Sequence, residues 1–541
     1  MRSDGGDAVG RWADRVALLI LALDLVVALA TFRDYGLGWD DYTHSQYGDL
    51  LLSLFGSGFS DQRAFSFVNL YYYGGGYDVV SALAAKISPF TLFETRRLVG
   101  ALIGIIGLAT TWRLGRKLGG PVAGLIALAL LATCPLYDGH MYINAKDAPF
   151  AVAMTILLLA LVHAFEAYPE PSRRSTAFVG VGVGLAFGSR VLAALAIFSA
   201  VVALITIAVD EFQHRRRDAL ARLMRFIWLM LPALLIGYLL MGLFWPWSVL
   251  SPLNPLKASD YFSGFFEKPW RELYEGRLIS VPEMPATYLP HIFLIKLPEI
   301  MLVLGLAGTA FTVAAGLSGK LSARRGGALF AVVMSAFFPI LLAMVARPAL
   351  YNGVRHFLFV IPPFAVLGGF AGAAIFEWAR ARGRAFLAAT IAVFLAGIAL
   401  PITELVRLHP YQYSSFNLAS GGVAMAHDKY MVDYWGLAFK EASEKLRAYL
   451  DARGEKPPAG RRWIVEICGP QRGAEVALGP NFETTWDRKT VDFAMMLGTF
   501  YCRDDLKAPI LVEVKREGEL YARVYDLRGR GTPSLLTEPP P

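Results

Sequence analysis

"RVALLILALDLVVALATFRDYGLGWDDYTHSQYGD", residues 15–49, joins an apolar run of membrane-spanning length to two adjacent carboxylates, Asp40 and Asp41. The run predicts a helix crossing a bilayer. The acids then stand just outside it, beside Trp39, Tyr42 and His44. Such a pair is either the solvated start of a loop or an acid site held at the membrane surface.

The rest of the chain repeats the first part of that pattern. Of its 541 residues, 55% are hydrophobic and only 18% charged, with a mean hydropathy of +0.45. A soluble globular protein carries more charge than this. Eleven spans are expected, at about 15–32, 98–113, 120–137, 148–166, 177–189, 191–209, 225–245, 291–316, 326–346, 356–378 and 384–405. The fifth is Gly-rich and turns into the sixth at Ser189 and Arg190; one unbroken helix over 177–209 is the alternative. The class is therefore an α-helical polytopic membrane protein. The formal charge of +8 is no nucleic-acid footprint, because the basic residues concentrate in short loops.

Those loops set the orientation. With the N-terminus inside, the cytoplasmic segments hold Arg11 and Arg15, Arg113 to Lys117, Arg173 and Arg174, Arg215 to Arg225, Arg324 and Arg325, and Arg380 to Arg384. The opposite short loops hold only Lys146, Arg190, Arg347 and Arg355. Positive charge is retained on the cytoplasmic side, so the N-terminus is expected inside and the C-terminal part outside. "ALA" at 28–30 offers a signal-peptide reading of the first run, against which Asp24 argues. In lipid, Asp24 must face other helices or a cavity.

Two long segments, 33–97 and 246–290, then face outward. "DLLLSLFGSGF" (49–59) and "DYFSGFFEKPW" (260–270) read as helices lying in the interface. Residues 1–406 form the membrane domain, and 407–541 a small soluble α/β domain. There, 431–454 has helical periodicity, "RWIVEICG" (462–469) reads as a strand, and 509–527 as two strands around "REGE". Cys468 and Cys502 would stand in an oxidising compartment, where they can pair; Cys134 lies in an apolar run. The final "TEPPP" reads as disordered.

Polar residues of both signs gather on the outward side. "YDGHMYINAKDAPF" (137–150) brings His140, Asn144, Lys146 and Asp147. Arg190 stands at the turn after the fifth span. "RPALYNGVRHFLF" (347–359) brings Arg355 and His356, and "MPATYLPHIFLIKLPE" (284–299) brings His291 and Lys296. Charges at that depth are expensive unless paired or hydrated, so they are expected to converge on one cavity. The bland readings are ion pairs, an N-cap for Asp147, packing for the histidines, and an interfacial anchor for "YYYGGGYD" (71–78).

The order of these motifs resembles the GT-C superfamily of integral-membrane glycosyltransferases, in particular the protein O-mannosyltransferase and aminoarabinose-transferase type (glycosyltransferase family 39). The resemblance covers about residues 10–405. It rests on "GWDDYTHSQYG" after the first span, "NAKDAPFAVAMTILLL" with Asp147, "GVGVGLAFGSRVLAAL" with Arg190, and "RHFLFVIPP". The pair is Asp-Asp here where the family commonly has Asp-Glu, which blurs which carboxylate leads.

The resemblance implies a GT-C fold in a bacterial inner membrane, with the C-terminal domain periplasmic. It implies a polyprenyl-phosphate sugar donor, a lipid, glycan or protein acceptor, and inversion at the anomeric carbon. Asp40 would be the base, with Asp41 as substitute. Asp147 would orient it, bind acceptor, or share a divalent cation (Mg or Mn) with Asp40. Lys146, Arg190, Arg355, His356, His44 and Lys296 would bind substrate or phosphate. A transporter or flippase is the competing class. It would show repeated halves and helices broken at mid-membrane; the sequence has no clear internal repeat.

Overall fold

The computed structural model describes residues 4–216, 218–264, 270–318, 321–487, 489–499, 502 and 506–530. The membrane part begins with α1 (Asp4–Thr31), α2 (Asp41–Gly56), α3 (Gly76–Ala85), α4 (Leu92–Gly119), α5 (Pro121–Ala132), α6 (Pro135–Ile143) and α7 (Asp147–Glu166). It continues with α8 (Arg173–Phe187), α9 (Leu195–Arg215), α10 (Ala219–Phe244), α11 (Pro246–Val249) and α12 (Asn254–Ser263). A hairpin follows, β1 (Arg271–Tyr274) and β2 (Arg277–Ser280). Then come α13 (Tyr288–Lys296), α14 (Glu299–Leu317), α15 (Ala323–Ala346), α16 (Ile361–Arg382) and α17 (Arg384–Leu408).

Among the described residues, eight helices are long and apolar enough to cross a membrane, or nine if the bent pair α5–α6 is one span. α1, which holds the expected first span, carries Asp14, Arg15 and Asp24, and the expected fifth, α8, has only 15 residues. Two expected spans are corrected. The third is not straight: it stops at Ala132 and resumes at Pro135 with a bend of 65°. The eighth breaks between Lys296 and Glu299, at Pro298. Proline lacks the N–H that would continue the ladder. The turn expected at 188–190 is present, so 177–209 is not one helix.

Local chemistry sets the ends that matter. Thr91 and Glu94 form a capping box that starts α4. Asn144 Oδ1 accepts from the Lys146 and Asp147 N–H groups and starts α7. The glycines of α8 allow close packing. A Cβ on Gly180 or Gly184 would meet Ile236 or Leu240 of α10, and one on Gly182 would meet Leu157 of α7. That packing aims the α8 C-terminus, and with it Arg190, at the start of α7.

After α17, residues 409–438 contain α18 (Gly422–Ala426) and run across the end of the bundle. They are packed into it. Gly139 touches the Tyr413 backbone where a Cβ would clash, and Asn417 Nδ2 donates to the Leu294 and Leu297 carbonyls. The C-terminal part then builds α19 (Phe439–Ala452), β3 (Trp463–Cys468), α20 (Gln471–Leu478), β4 (Phe482–Thr485), β5 (Phe493–Leu497), β6 (Ile510–Arg516) and β7 (Glu519–Asp526). Strand order is β4-β3-β5-β7-β6, with β3 parallel to β4 and β5, and β7 antiparallel to β5 and β6. Cys468 and Cys502 form a disulfide. The helix at 439–452, the strand at 463–468 and the β6–β7 hairpin match the sequence reading; β4, β5, α20 and the β1–β2 hairpin were not anticipated. "TEPPP" and residues 265–269 of the 260–270 segment lie outside the described residues.

Candidate functional site

The acid pair divides between two environments. Asp41 opens α2 and is buried. Both its oxygens are taken by Arg97 of α4, at 2.7 Å each, and Oδ2 also accepts from the Gly38 N–H at 2.8 Å. Arg97 donates further to the Gly36 and Tyr142 carbonyls. This is a bidentate, fully buried pair that pins the 36–41 loop to the bundle.

Asp40, one residue earlier, points the other way. Its side chain is 34% exposed and makes no cap to its own helix. Oδ2 lies 3.4 Å from Lys146 Nζ and 3.7 Å from Arg355 Nη1. Desolvation pushes its carboxyl up, but Lys146, then Arg355 and His44, outweigh it and hold the group well below the usual carboxylate range. The two cations therefore favour the ionised form of Asp40, and its side chain keeps partial access to solvent.

Asp147 opens α7 and is buried. It pairs with Arg190 and accepts from Asn144 Nδ2 at 3.0 Å. The helix start is capped by Asn144, so the N-cap reading of Asp147 is replaced by an ion pair. Tyr73 lies beneath the two cations: Lys146 Nζ is 4.9 Å and the Arg190 guanidinium 5.4 Å from its ring centre. Gly74 makes this possible, since a Cβ there would overlap the Gly188 carbonyl; its N–H donates to Ser189 O at 3.1 Å. The run "YYYGGG" is therefore partly an anchor, Tyr71 and Tyr72 packing on Trp247, and partly a wall of the site.

Arg355 is held between aromatic faces, 4.9 Å from the rings of both Tyr351 and Trp435, and its Nε has no hydrogen-bond partner among the described residues. His356 stacks edge-on against Tyr351, 5.0 Å between ring centres. Three cations, Lys146, Arg190 and Arg355, thus meet two carboxylates, Asp40 and Asp147. Among these five groups one positive charge is in excess, and the rings of Tyr73, Tyr351 and Trp435 lie against the cations.

Lys296 does not join this group. Its ammonium is buried under the tail, donating to Ser415 O at 2.9 Å above the Phe416 ring. His44 is also buried, with Nδ1 2.7 Å from Asp78 Oδ2. The break before Pro298 turns Lys296 toward the tail, and α3 screens His44. Of the other histidines, His140 meets Tyr434 and Asn144, and His291 meets Tyr274 and Tyr430, as packing groups. A divalent ion shared by Asp40 and Asp147 was one of the roles left open for these acids. Each is already neutralised by a cation, and no three His, Cys, Asp or Glu side chains are grouped to hold a metal among the described residues. The donor set does not fit such an ion, and no step is routed through one.

Tyr73, Tyr351 and Trp435 were not among the expected site residues, nor were Arg96, Arg97 and Asp78 behind it. One signal for the arginines was present: "ETRR" (94–97) puts two positive charges next to an apolar run, where charge is expensive unless paired.

Residues 78–245 match the family described as dolichyl-phosphate-mannose-protein mannosyltransferase. No curated protein matches the chain. Among solved structures, it is similar to ArnT from Cupriavidus metallidurans in the apo state, with TM-score 0.51 and 13% identity over 96% of this chain and 98% of that one. A second structure of that ArnT, bound to undecaprenyl phosphate, aligns at TM-score 0.46 and 15% identity, covering 98% and 100%. The apo oligosaccharyltransferase of Archaeoglobus fulgidus gives TM-score 0.51 and 13% identity, over 83% of this chain but 62% of that longer one. The chain has the GT-C fold. The likeness to these structures is one of fold, and the family match covers residues 78–245 alone.

Proposed function

We propose that this protein transfers a sugar from a polyprenyl-phosphate donor to a hydroxyl or amine of a lipid, glycan or protein acceptor, on the outer face of a bacterial inner membrane. The observation that carries the reading is the uncompensated positive charge beside an ionised, accessible Asp40. A phosphodiester-linked sugar carries one negative charge. It complements the surplus of Lys146, Arg190 and Arg355 and leaves Asp40 free to act at the anomeric carbon.

In the step, the acceptor oxygen or nitrogen bonds to the anomeric carbon as the bond to phosphate breaks. The acceptor proton passes to Asp40, and the electron pair leaves on the phosphate. Attack from the face opposite the phosphate inverts the centre. The leaving group needs no acid; it needs fixed positive charge, for which Arg355 and Arg190 are the candidates. Asp147 keeps Arg190 in place, and Asp41 holds the loop that presents Asp40. His356 is retained as a wall of the donor pocket. The basic loops favour a cytoplasmic N-terminus, and a disulfide between Cys468 and Cys502 accords with an oxidising compartment for the C-terminal domain. The presence of undecaprenyl phosphate in one ArnT structure accords with a donor of this kind.

The test is transfer by the purified full chain in lipid nanodiscs, from radiolabelled polyprenyl-phosphate mannose, glucose, galactose and aminoarabinose to crude membrane lipids and proteins. Turnover with one donor is the expected result; neither binding nor turnover with any would sink the reading. Arg355→Lys keeps the charge but loses the planar fork, and should raise the donor KM about 10–100-fold. An unchanged KM would remove Arg355 from the phosphate site. Because the cations are side chains, EDTA is expected to leave the rate unchanged; a rate restored only by Mg or Mn would reinstate the ion.

A further inference from the structure

The end of the bundle opposite Asp40 holds a cavity that the transfer step does not use. α7 starts at Asp147, in the charged cluster, and ends at Glu166. Its 20 residues put the two ends about 30 Å apart, the thickness of a bilayer core. At the far end, a cavity of about 660 Å³ is lined by Lys117 of α4, His163 and Glu166 of α7, and Arg174, Ser175 and Phe178 of α8. α7 packs against both α4 and α8, so the cavity is a groove where these three helices end.

The charges on this groove do not balance. Glu166 is taken by Lys117 at 2.7 Å and by Arg325 at 3.3 Å. Glu170, also on the lining, is met by Arg225 at 3.4 Å. Arg174 is exposed and makes no hydrogen bond or ion pair among the described residues. Four cations thus face two carboxylates. An ammonium has three N–H donors, so Lys117 can serve Glu166 and a further anion together. Ser175 Oγ is buried there without a partner. One turn further into the bundle the lining becomes less charged, with the His163 ring against Phe178, 6.2 Å between centres.

The surface leading into the groove separates a lipid from a free anion. On α4, Leu102, Ile106 and Lys117 fall on one face at 3.6 residues per turn, and the two apolar residues are 40% and 52% exposed. On α8, Val181 stands two turns from Arg174 on the same face and is 36% exposed. Both faces run from exposed apolar side chains to a basic end. A phospholipid presents the matching order, tails and then a phosphodiester. A free phosphate would use the basic end alone.

We propose that this groove binds an anionic phospholipid of the phosphatidylglycerol kind. Arg174 and Lys117 hold its phosphodiester, Ser175 donates to it, and its tails lie along Leu102, Ile106 and Val181. Basic pockets between membrane helices suit such headgroups. The basic loops favour the cytoplasmic leaflet for this end of the bundle. The inference does not depend on the transfer reading.

The test is native mass spectrometry of the purified full chain, titrated with phosphatidylglycerol and, separately, with phosphatidylcholine of the same acyl chains. Phosphatidylglycerol should bind about 10-fold tighter or more. Arg174→Gln breaks no contact and should weaken its binding about 5-fold; adding Lys117→Gln should bring the loss to about 30-fold. Arg384→Gln, at the same end of the bundle but outside the groove, should change neither affinity. Equal binding of the two lipids, or a double variant that binds phosphatidylglycerol like wild type, would overturn the proposal. Inorganic phosphate should leave the lipid bound; displacement at equal concentration would make this a free-anion site and overturn the lipid assignment. In nanodiscs, phosphatidylglycerol carrying a mid-chain diazirine should label α4 near Ile106 and α8 near Val181. Labelling confined to other helices would also overturn it.

Discussion

Asp40→Asn is expected to lower the transfer rate by about 10²–10⁴-fold, the usual contribution of a positioned base. Donor binding and folding should change little. The substitution removes the carboxylate and nothing else of comparable size. Its ion partners, Lys146 at 3.4 Å and Arg355 at 3.7 Å, are long contacts on a partly solvated group, and such pairs contribute little to stability. The measurement is a single-turnover assay with donor affinity determined in parallel. Loss of turnover with retained affinity identifies a group that acts in the transition state. A full rate in Asp40→Asn would end the assignment of Asp40 as base, and a loss of donor affinity alone would make it a binding residue.

Asp41→Ala should do the reverse, with its main effect on stability. Removing one partner of a buried, bidentate pair leaves the Arg97 guanidinium charged and without its carboxylate, at a cost of about 3–5 kcal/mol. The expected readout is a lower melting temperature in detergent and reduced yield of folded protein. The double variant Asp41→Leu with Arg97→Met removes both charges and should recover part of the loss. If Asp41→Ala melts like wild type while turnover vanishes, the roles of the two acids are exchanged.

This division could not be read from "GWDDYTHSQYG". Neighbouring residues at a helix start point in different directions, and what decides between them is non-local. Arg97 lies 56 positions along the chain from Asp41, and Arg355 is further still from Asp40. What was legible was legible through hydropathy and charge. The lengths of the apolar runs located the membrane helices, and Lys146, Asp147, Arg190 and Arg355 stood out as charges where charge is expensive. The breaks at Pro135 and Pro298 were missed because a hydropathy window averages across a proline. Lys296 was misplaced for that reason: the bend before Pro298 turns it to Ser415. Tyr73 and Trp435 were missed because an aromatic ring looks alike in sequence whether it anchors in an interface or flanks a guanidinium. Residues 409–438 read as part of a separate soluble domain. Their polar tips find partners inside the bundle, as where Tyr434 OH meets His140 Nε2 at 2.9 Å.

The Trp435 contact with Arg355 also bears on how the molecule is made. Arg355 enters with the tenth expected span, but the ring that flanks it is translated only after the final membrane helix. While the ribosome is still extending the chain, the cations and carboxylates are in place but Trp435 is not yet there to flank Arg355. The membrane helices are therefore synthesised before this cluster of charges and rings can be complete, and the segment after the last of them supplies its final wall.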